Sequence, residues 1–350
     1  MGKNRENKRI IEIQKKRALI IDLIREFFKK RGFLEVQTPI LTKGMSTEPY
    51  IDPIKVEFFD DKNKKYQGYL ITSPEYSLKK LLSLGFPNIF EITKAFRQRE
   101  SFGKWHNLEF TILEWYRVHS DYKDMMKDTE ELVNYLVKKL FHRNFIIFQN
   151  QKIDLSLPWQ RLSIKEAFLK WANIDLDKNI RLKNFKETIK KKEYAKNIDL
   201  KFFDWNDCFY FVFLNEIEKN LPRNKAIILY DYPLPQAALA KRKSKNSFYA
   251  ERFEAYIGGI EICNAFSELT DWQEQLKRLK EDQKTRKKLK KEFIPIDKTF
   301  ICALKSKLPP LSGNALGVER LEMLLLDIKN IDELLPFSIN KMFNSYLNFK

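Results

Sequence analysis

A chain of 350 residues that is 43% hydrophobic and 14% aromatic can bury a large core, as one big domain or two ordinary ones. Its 65 Lys and Arg against 47 Asp and Glu give a net charge of +18, which suits an acidic partner, whether nucleic acid or protein, and equally suits a coding bias toward Lys, Asn, Ile and Phe. No apolar run approaches the roughly 20 residues that span a bilayer, and residues 1–16 lack the apolar centre of a signal peptide. The three cysteines, Cys208, Cys263 and Cys302, are widely spaced and show neither a disulfide framework nor zinc spacing. The expected compartment is the cytoplasm, with no membrane association.

Residues 1–16 read as a frayed N-terminal arm. Over Arg17–Lys30 the apolar residues Ile20, Leu23, Ile24, Phe27 and Phe28 repeat with helical spacing and predict a buried stripe, with Gly32 as C-cap. Phe33–Thr38 reads as a strand closed by Pro39. Residues 43–68 are polar and broken by Gly44, Pro49 and Pro53, which predicts loops and short strands. Tyr69–Thr72 reads as a strand, and Ser73-Pro74-Glu75 has the cap, proline and acid of a helix start. Asn88–Arg97 and Glu109–Tyr116 form a long hairpin with a charged tip at Gln98–Asn107, followed by a helix over Asp121–Phe141. Ile164–Trp171, Phe185–Ile189 and Asp207–Leu221 are helical by pattern, and Ile227–Tyr230 is a short buried strand. Phe253–Cys263 holds strands that bend at Gly258-Gly259. Trp272–Lys291 is a long charged helix, and Arg320–Leu326 a last amphipathic one. Strands near both ends with helices between predict an α+β fold with an antiparallel sheet. Neither G-x-x-x-x-G-K-[ST] nor G-x-G-x-x-G occurs, so a nucleotide site would not use either of the two commonest phosphate loops.

Four stretches carry residues suited to chemistry, and each has a plainer reading. Arg97, at the end of a hairpin strand, can grip a phosphate with its planar fork, and Phe110 opposite can stack on a purine; an ordinary solvated hairpin would carry the same residues. Glu114 and Tyr116 share a strand face and can hold an ammonium group, or form part of a structural sheet. Glu261 and Glu268 stand among apolar neighbours, where a carboxylate needs a partner or a metal. Their odd spacing of seven puts them on opposite faces of a regular strand, so a bulge near Asn264-Ala265 would be needed to bring both to one site. Carboxylates on an edge strand in water are the alternative. Gly313–Leu321 sets two glycines close to Arg320 at a helix start, which is a phosphate device or simply a turn before a helix.

Taken together, these stretches resemble the class II aminoacyl-tRNA synthetases. Phe33–Pro39 is similar to motif 1, Phe96-Arg97 with Glu109-Phe110-Thr111 to motif 2, and Gly313–Arg320 to motif 3. Ser73-Pro74-Glu75-Tyr76, Glu251-Arg252-Phe253-Glu254 and Asn264–Leu269 resemble the lysyl-tRNA synthetase branch. The likeness runs from about Arg17 to Phe337. Motif 1 begins near residue 17, which leaves no room for the N-terminal OB-fold anticodon domain of a lysyl-tRNA synthetase. A bare catalytic domain of this kind resembles the elongation factor P–(R)-β-lysine ligases, most closely at His106-Asn107, Glu109–Arg117, Ala250–Phe253, Gly259–Leu269 and Ser312–Leu321. Ala315 and Ser73 stand where lysyl-tRNA synthetases usually carry Gly and Ala. Two features depart from the pattern: Arg97 is followed by Gln98-Arg99-Glu100 rather than x-Glu, and Glu319 precedes the arginine where Asp is frequent.

The resemblance implies a class II catalytic domain over residues 17–338, an antiparallel sheet flanked by helices, with an arm at 1–16 and a tail at 339–350. It implies a homodimer joined through motif 1. The implied cofactors are ATP and Mg²⁺, and the implied reaction is activation of (R)-β-lysine as an adenylate and transfer to a lysine of elongation factor P, with tRNA not the acceptor. Catalysis would fall to Arg97, Glu261 and Arg320. Ser73, Pro74, Glu75, Tyr116, Glu268 and Ala315 would bind the amino acid, and Glu261 with Glu268 the metal. ATP would meet Arg97, Gln98, Arg99, Glu100, Asn107, Phe110, Glu261, Ile262, Gly317 and Arg320. A truncated synthetase that charges tRNA or makes only lysyl-adenylate, and a non-catalytic regulatory paralogue, are the rival readings.

Overall fold

The computed structural model describes residues 2–100, 103–306 and 308–344. Helix α1 runs over Gly2–Lys30 as one piece, so the expected arm is helix. Tertiary contacts account for this: Ile13 is buried, the Gln14 amide donates to the Leu334 carbonyl at 2.9 Å, and Arg17 pairs with Glu322 at 2.7 Å. The expected stripe is present, with Ile20, Leu23, Ile24, Phe27 and Phe28 all in the core. Gly32 adopts the left-handed conformation (φ +76°) that turns the chain out of the helix.

Eight strands form the central sheet. In chain order they are β1 (Leu34–Glu35), β5 (Ile89–Phe96), β6 (Glu109–Val118), β9 (Gln160–Ser163), β10 (Ala226–Pro233), β11 (Tyr249–Ile257), β12 (Ile260–Ser267) and β13 (Leu311–Gly317). Their spatial order is β1-β5-β6-β13-β12-β11-β10-β9. Only the two edge pairs, β1 with β5 and β9 with β10, are parallel; the rest of the sheet is antiparallel. Strands β2 (Leu41–Thr42), β3 (Ile54–Phe59) and β4 (Lys65–Leu70) make a small second sheet, and β7 (Phe145–Phe148) pairs with β8 (Gln151–Asp154).

Alternation along β6 assigns the two faces of the large sheet. Leu113 and Trp115 enter the back core with Phe90, against α1 and α3 (Tyr122–Phe141). Phe28 stacks on Phe90 with ring centroids 4.9 Å apart. Ile112, Glu114 and Tyr116 point to the front, into a large cavity. The front is bordered by α2 (Glu75–Ser83), by α6 (Trp205–Val212) and by α7 (Trp272–Lys288) with α8 (Lys298–Lys305). Helices α4 (Ile164–Ala167) and α5 (Leu182–Lys190) join α6 in a separate aromatic cluster of Phe168, Phe185, Trp205 and Phe209 beside β10. The C-terminal helices are α9 (Val318–Leu325), α10 (Ile331–Leu334) and α11 (Ile339–Asn344). The expected tail thus begins as helix, and residues 345–350 lie outside the described residues. No helix among the described residues is long and apolar enough to cross a membrane.

Candidate active site

The front cavity measures about 1080 Å³ and lies over β6, β13, β12 and β11. Two ends with different chemistry can be built from the strands upward.

At one end stand two arginines. Arg97 follows β5, where its Nε reaches the Thr72 carbonyl at 3.4 Å and its guanidinium lies 5.1 Å from the centre of the Phe110 ring. Glu100 faces it at 3.9 Å. Arg320 sits in the first turn of α9, held by the Glu261 carbonyl (3.1 Å) and carboxylate (3.3 Å) and by His106 Nε2 (2.9 Å). Burial and the nearby Arg320 charge lower the His106 pKa, so the ring meets the guanidinium as a neutral acceptor. The hairpin tip is pinned from behind: the Lys104 carbonyl accepts from Ile331 N, and Asn107 Oδ1 from Ile339 N. Ser101 and Phe102 lie outside the described residues.

Motif 3 is a strand and then a helix, rather than a turn into a helix. Glu319 does not face the ligand side alone. Its carboxylate accepts from Thr111 N (2.8 Å) and Oγ1 (2.6 Å) on β6 and lies 3.6 Å from Arg17 of α1. One glutamate therefore ties the hairpin, α9 and α1 together. Gly313 in β13 is needed for close packing, because a Cβ there would lie 2.4 Å from the Tyr116 ring and 2.6 Å from Glu268 Oε1.

The other end is rich in carboxylates. Ser73 Oγ donates to Glu114 Oε1 (2.5 Å), and Tyr116 OH to Glu114 Oε2 (3.2 Å). Glu75 and Glu268 converge on Lys79 of α2, with Glu75 at 2.5 Å. Burial, reinforced by the negative charge of Glu75, pushes the Glu114 carboxyl up to about 8. Burial likewise pushes Glu268 up to about 8, with Lys79 opposing the shift. Ala315 pairs in register with Glu114 on one side and Asn264 on the other, which places its methyl group between the two ends.

The bulge demanded by the spacing of Glu261 and Glu268 exists two residues earlier than expected. The β11–β12 register slips between Ala255 and Tyr256, opposite Glu261–Cys263, and Ile262 and Cys263 both enter the back core. Glu261, Asn264, Phe266 and Glu268 consequently all line the cavity. The bulge does not bring the two glutamates together, however. Seven strand residues at about 3.3 Å each separate them by about 20 Å, too far to share one ion. That spacing favours a nearer acid than Glu268 as the partner of Glu261. The carboxylate beside Glu261 is Glu254, across the Gly258-Gly259 turn. It is held by Arg252 Nη2 (2.6 Å), Tyr232 OH (2.6 Å) and Tyr256 OH (2.5 Å). Burial raises its pKa, and so does the Glu261 charge, which makes this pair of acids receptive to a cation. Among the described residues no group of three or more His, Cys, Asp or Glu side chains is arranged to hold a metal alone.

The cavity gathers Ser73, Glu75, Arg97, Glu100, Asn107, Phe110, Tyr116, Glu261, Ile262, Glu268, Ala315, Gly317 and Arg320. Three expected residues lie elsewhere. Gln98 turns to the Pro53 carbonyl, Arg99 is exposed at a left-handed backbone position (φ +63°), and Pro74 caps α2. With Arg99 outside, Glu100 takes the place after Arg97 that faces the cavity. Sequence reasoning did not assign sites to Glu254, Lys79 or His106. Glu254 is visible in the sequence only as part of the stretch Glu251-Arg252-Phe253-Glu254.

Two arginines at one end of a cavity, a pair of acids and a carboxylate-rich pocket, all on one antiparallel sheet, are the arrangement of a class II synthetase catalytic domain. The family model described as tRNA synthetases class II (D, K and N) matches residues 3–341, and the chain belongs to that family. Within it, the chain falls with the elongation factor P–(R)-β-lysine ligases. It is 37% identical to the protein of that name from Avibacterium paragallinarum over 325 residues, 92% of this chain and 94% of the relative. The one from Yersinia pestis (strain Pestoides F) is 35% identical over 331 residues, 93% and 94% of the two chains. A lysine–tRNA ligase from Buchnera aphidicola is 38% identical over 343 residues, 96% of this chain but 65% of that protein.

Proposed function

We propose that the chain activates (R)-β-lysine with ATP as an aminoacyl-adenylate and transfers the acyl group to a lysine side chain of elongation factor P. The observation that carries this reading is one continuous cavity with paired arginines at one end and a buried carboxylate pocket at the other. Relatives of the same length that bear the ligase name support it.

Arg97 and Arg320 hold the phosphates of ATP, and Phe110 stacks on its adenine. Glu100 addresses the base, while Asn107, Ile262 and Gly317 line its berth. His106 is displaced from Arg320 when phosphate arrives. Mg²⁺ fits Glu261 and Glu254 and supplies neutralisation of phosphate charge when bound. The β-lysine carboxylate attacks the α-phosphorus and pyrophosphate leaves; the acceptor amine then attacks the acyl carbonyl and AMP leaves. Positioning and charge complementarity do the work, without a nucleophilic side chain of the protein. Ser73, Glu75, Glu114, Tyr116 and Glu268 receive the amino groups, and Ala315 limits the space where an α-amine would lie.

The catalytic unit covers residues 17–338, with the N-terminal half of α1 extending from it, and works as a cytoplasmic homodimer. Exposed Leu34, Ile40 and Leu41, in and just after motif 1, support such pairing. The +18 charge suits an acidic acceptor. The resemblance to the Buchnera lysine–tRNA ligase keeps a second reading in view, a lysyl-adenylate or tRNA-charging enzyme. A regulatory paralogue without chemistry is disfavoured by the presence of both arginines and the acid pair. Pyrophosphate exchange with (R)-β-lysine and with L-lysine, followed by transfer to elongation factor P or tRNA, tests all of these. Exchange with (R)-β-lysine and labelling of elongation factor P is the expected result. No exchange with either amino acid, or transfer to tRNA alone, overturns the proposal.

A further inference from the structure

Lys79 is a lysine inside a lysine pocket. It is 1% exposed, on the nine-residue helix α2. Its ammonium group meets Glu75 at 2.5 Å and touches Glu268, and the rings of Phe266 and Phe300 lie 5.6 and 5.9 Å from it. Burial opposes its charge, but the two carboxylates outweigh burial and raise its pKa. Glu268 Oε1, also buried, has no hydrogen-bond donor among the described residues and points at Gly313, the cavity wall. The third carboxylate, Glu114, is held only by the neutral hydroxyls of Ser73 and Tyr116.

Three carboxylates and one resident ammonium leave two negative charges uncompensated when all are ionised. Such a pocket is costly to hold empty away from water, and protonation is the available relief. We propose that Lys79 is a built-in third ammonium that balances one pocket carboxylate, so that the site matches a ligand with two ammonium groups and sheds protons to accept it. The inference rests on the proposed function and adds how the substrate class is selected. Lys79 is thus a positioning residue: it ties Glu75 and Glu268 in place and leaves Glu114 and the open edge of Glu268 for the ligand. The raised carboxyls of Glu114 and Glu268 are consistent with protons stored there in the free protein. The charged and titratable groups facing them are Glu75 and Lys79 from α2, Tyr116 from β6, and Glu48 from the loop before β3, which senses Glu75.

Isothermal titration at pH 7 in two buffers of different ionisation enthalpy counts the protons. Binding of (R)-β-lysine is expected to release about one proton or more, and 3-aminohexanoate, with a single ammonium group, fewer. The KM for (R)-β-lysine in pyrophosphate exchange should fall about tenfold between pH 6 and pH 8 as the pocket ionises. Lys79→Ala should raise that KM at least about tenfold with a much smaller change in kcat, and ethylammonium should restore part of the loss. Lys79→Arg should retain more affinity than Lys79→Ala. Binding without proton release, or a Lys79→Ala KM within twofold of wild type, overturns the inference; if Lys79→Ala does not fold, the wild-type proton count decides. Exchange with neither (R)-β-lysine nor L-lysine overturns the proposed function and this inference with it, whereas exchange without proton release overturns this inference alone.

Discussion

Ala315 carries one methyl group between Glu114 and Asn264, and in the proposed function that methyl limits how close an amine comes to the sheet. Ala315→Gly should raise the ratio of kcat/KM for L-lysine over (R)-β-lysine about tenfold, the equivalent of about 1.4 kcal/mol; pyrophosphate exchange with each amino acid reads it, and an unchanged ratio counts against this account of the pocket. The separation of Glu254 and Glu261 from Glu268 gives a second contrast. Glu254→Gln should raise the Mg²⁺ concentration needed for half-maximal exchange, because it removes a hard oxygen ligand. Glu268→Gln should leave the Mg²⁺ titration in place and raise the amino-acid KM. The opposite pattern would restore the pairing of Glu261 with Glu268. Arg320→Ala should lower exchange by about 100-fold or more, in keeping with a side chain that meets developing phosphate charge.

At the scale of elements, α1 holds the back of the sheet through Phe27 and Phe28. Phe28 is wholly buried and packs against Phe33, Phe90 and Trp115 at once. Phe28→Ala should destabilise the protein by about 3–5 kcal/mol, measured by urea unfolding. The spacing of apolar residues made this helix legible, because a stripe at period 3.6 has few other uses. The N-terminal half of α1 was not legible: residues 2–16 are strongly charged, and their helix is fixed by Ile13, Gln14 and Arg17 meeting the distant α9 and α10 region. The same limit applied to β12. Two carboxylates at an odd spacing implied a bulge, but its place depended on which residues the back core would take, and it took Ile262 and Cys263 together.

At the scale of the whole molecule, several buried acids share one direction of shift. Glu322 is pushed up to about 7 by burial despite Arg17, Asp282 to about 7 by burial and Glu48, and Glu114 and Glu268 to about 8. An acid whose pKa is higher folded than unfolded binds more protons in the folded state, so stability falls as pH rises between the two values. Each such group contributes about 1.4 kcal/mol per pH unit within its window. The melting temperature should therefore decline from about pH 5.5 to pH 8, with lowered His106 acting in the opposite sense near pH 6. Glu322→Gln should flatten part of that slope, and saturating amino acid should flatten the part due to Glu114 and Glu268. A melting temperature that rises steadily across this range would contradict the assignment.

Local order was written in the chain: the stripe of α1, the β5–β6 hairpin, the bend at Gly258-Gly259, and the two arginines that the motifs set beside strand and helix ends. Those features follow from periodicity, caps and glycine, which act within a few residues. What the tertiary structure alone decided was company. It turned Gln98 and Arg99 out of the cavity, set Glu254 rather than Glu268 beside Glu261, and buried Lys79 between two acids. A charged side chain's role depends on the field of groups distant in sequence, and only packing brings those groups within a few ångströms. The order of residues supplies the ionisable groups, and the folded sheet determines which of them face one another across the cavity.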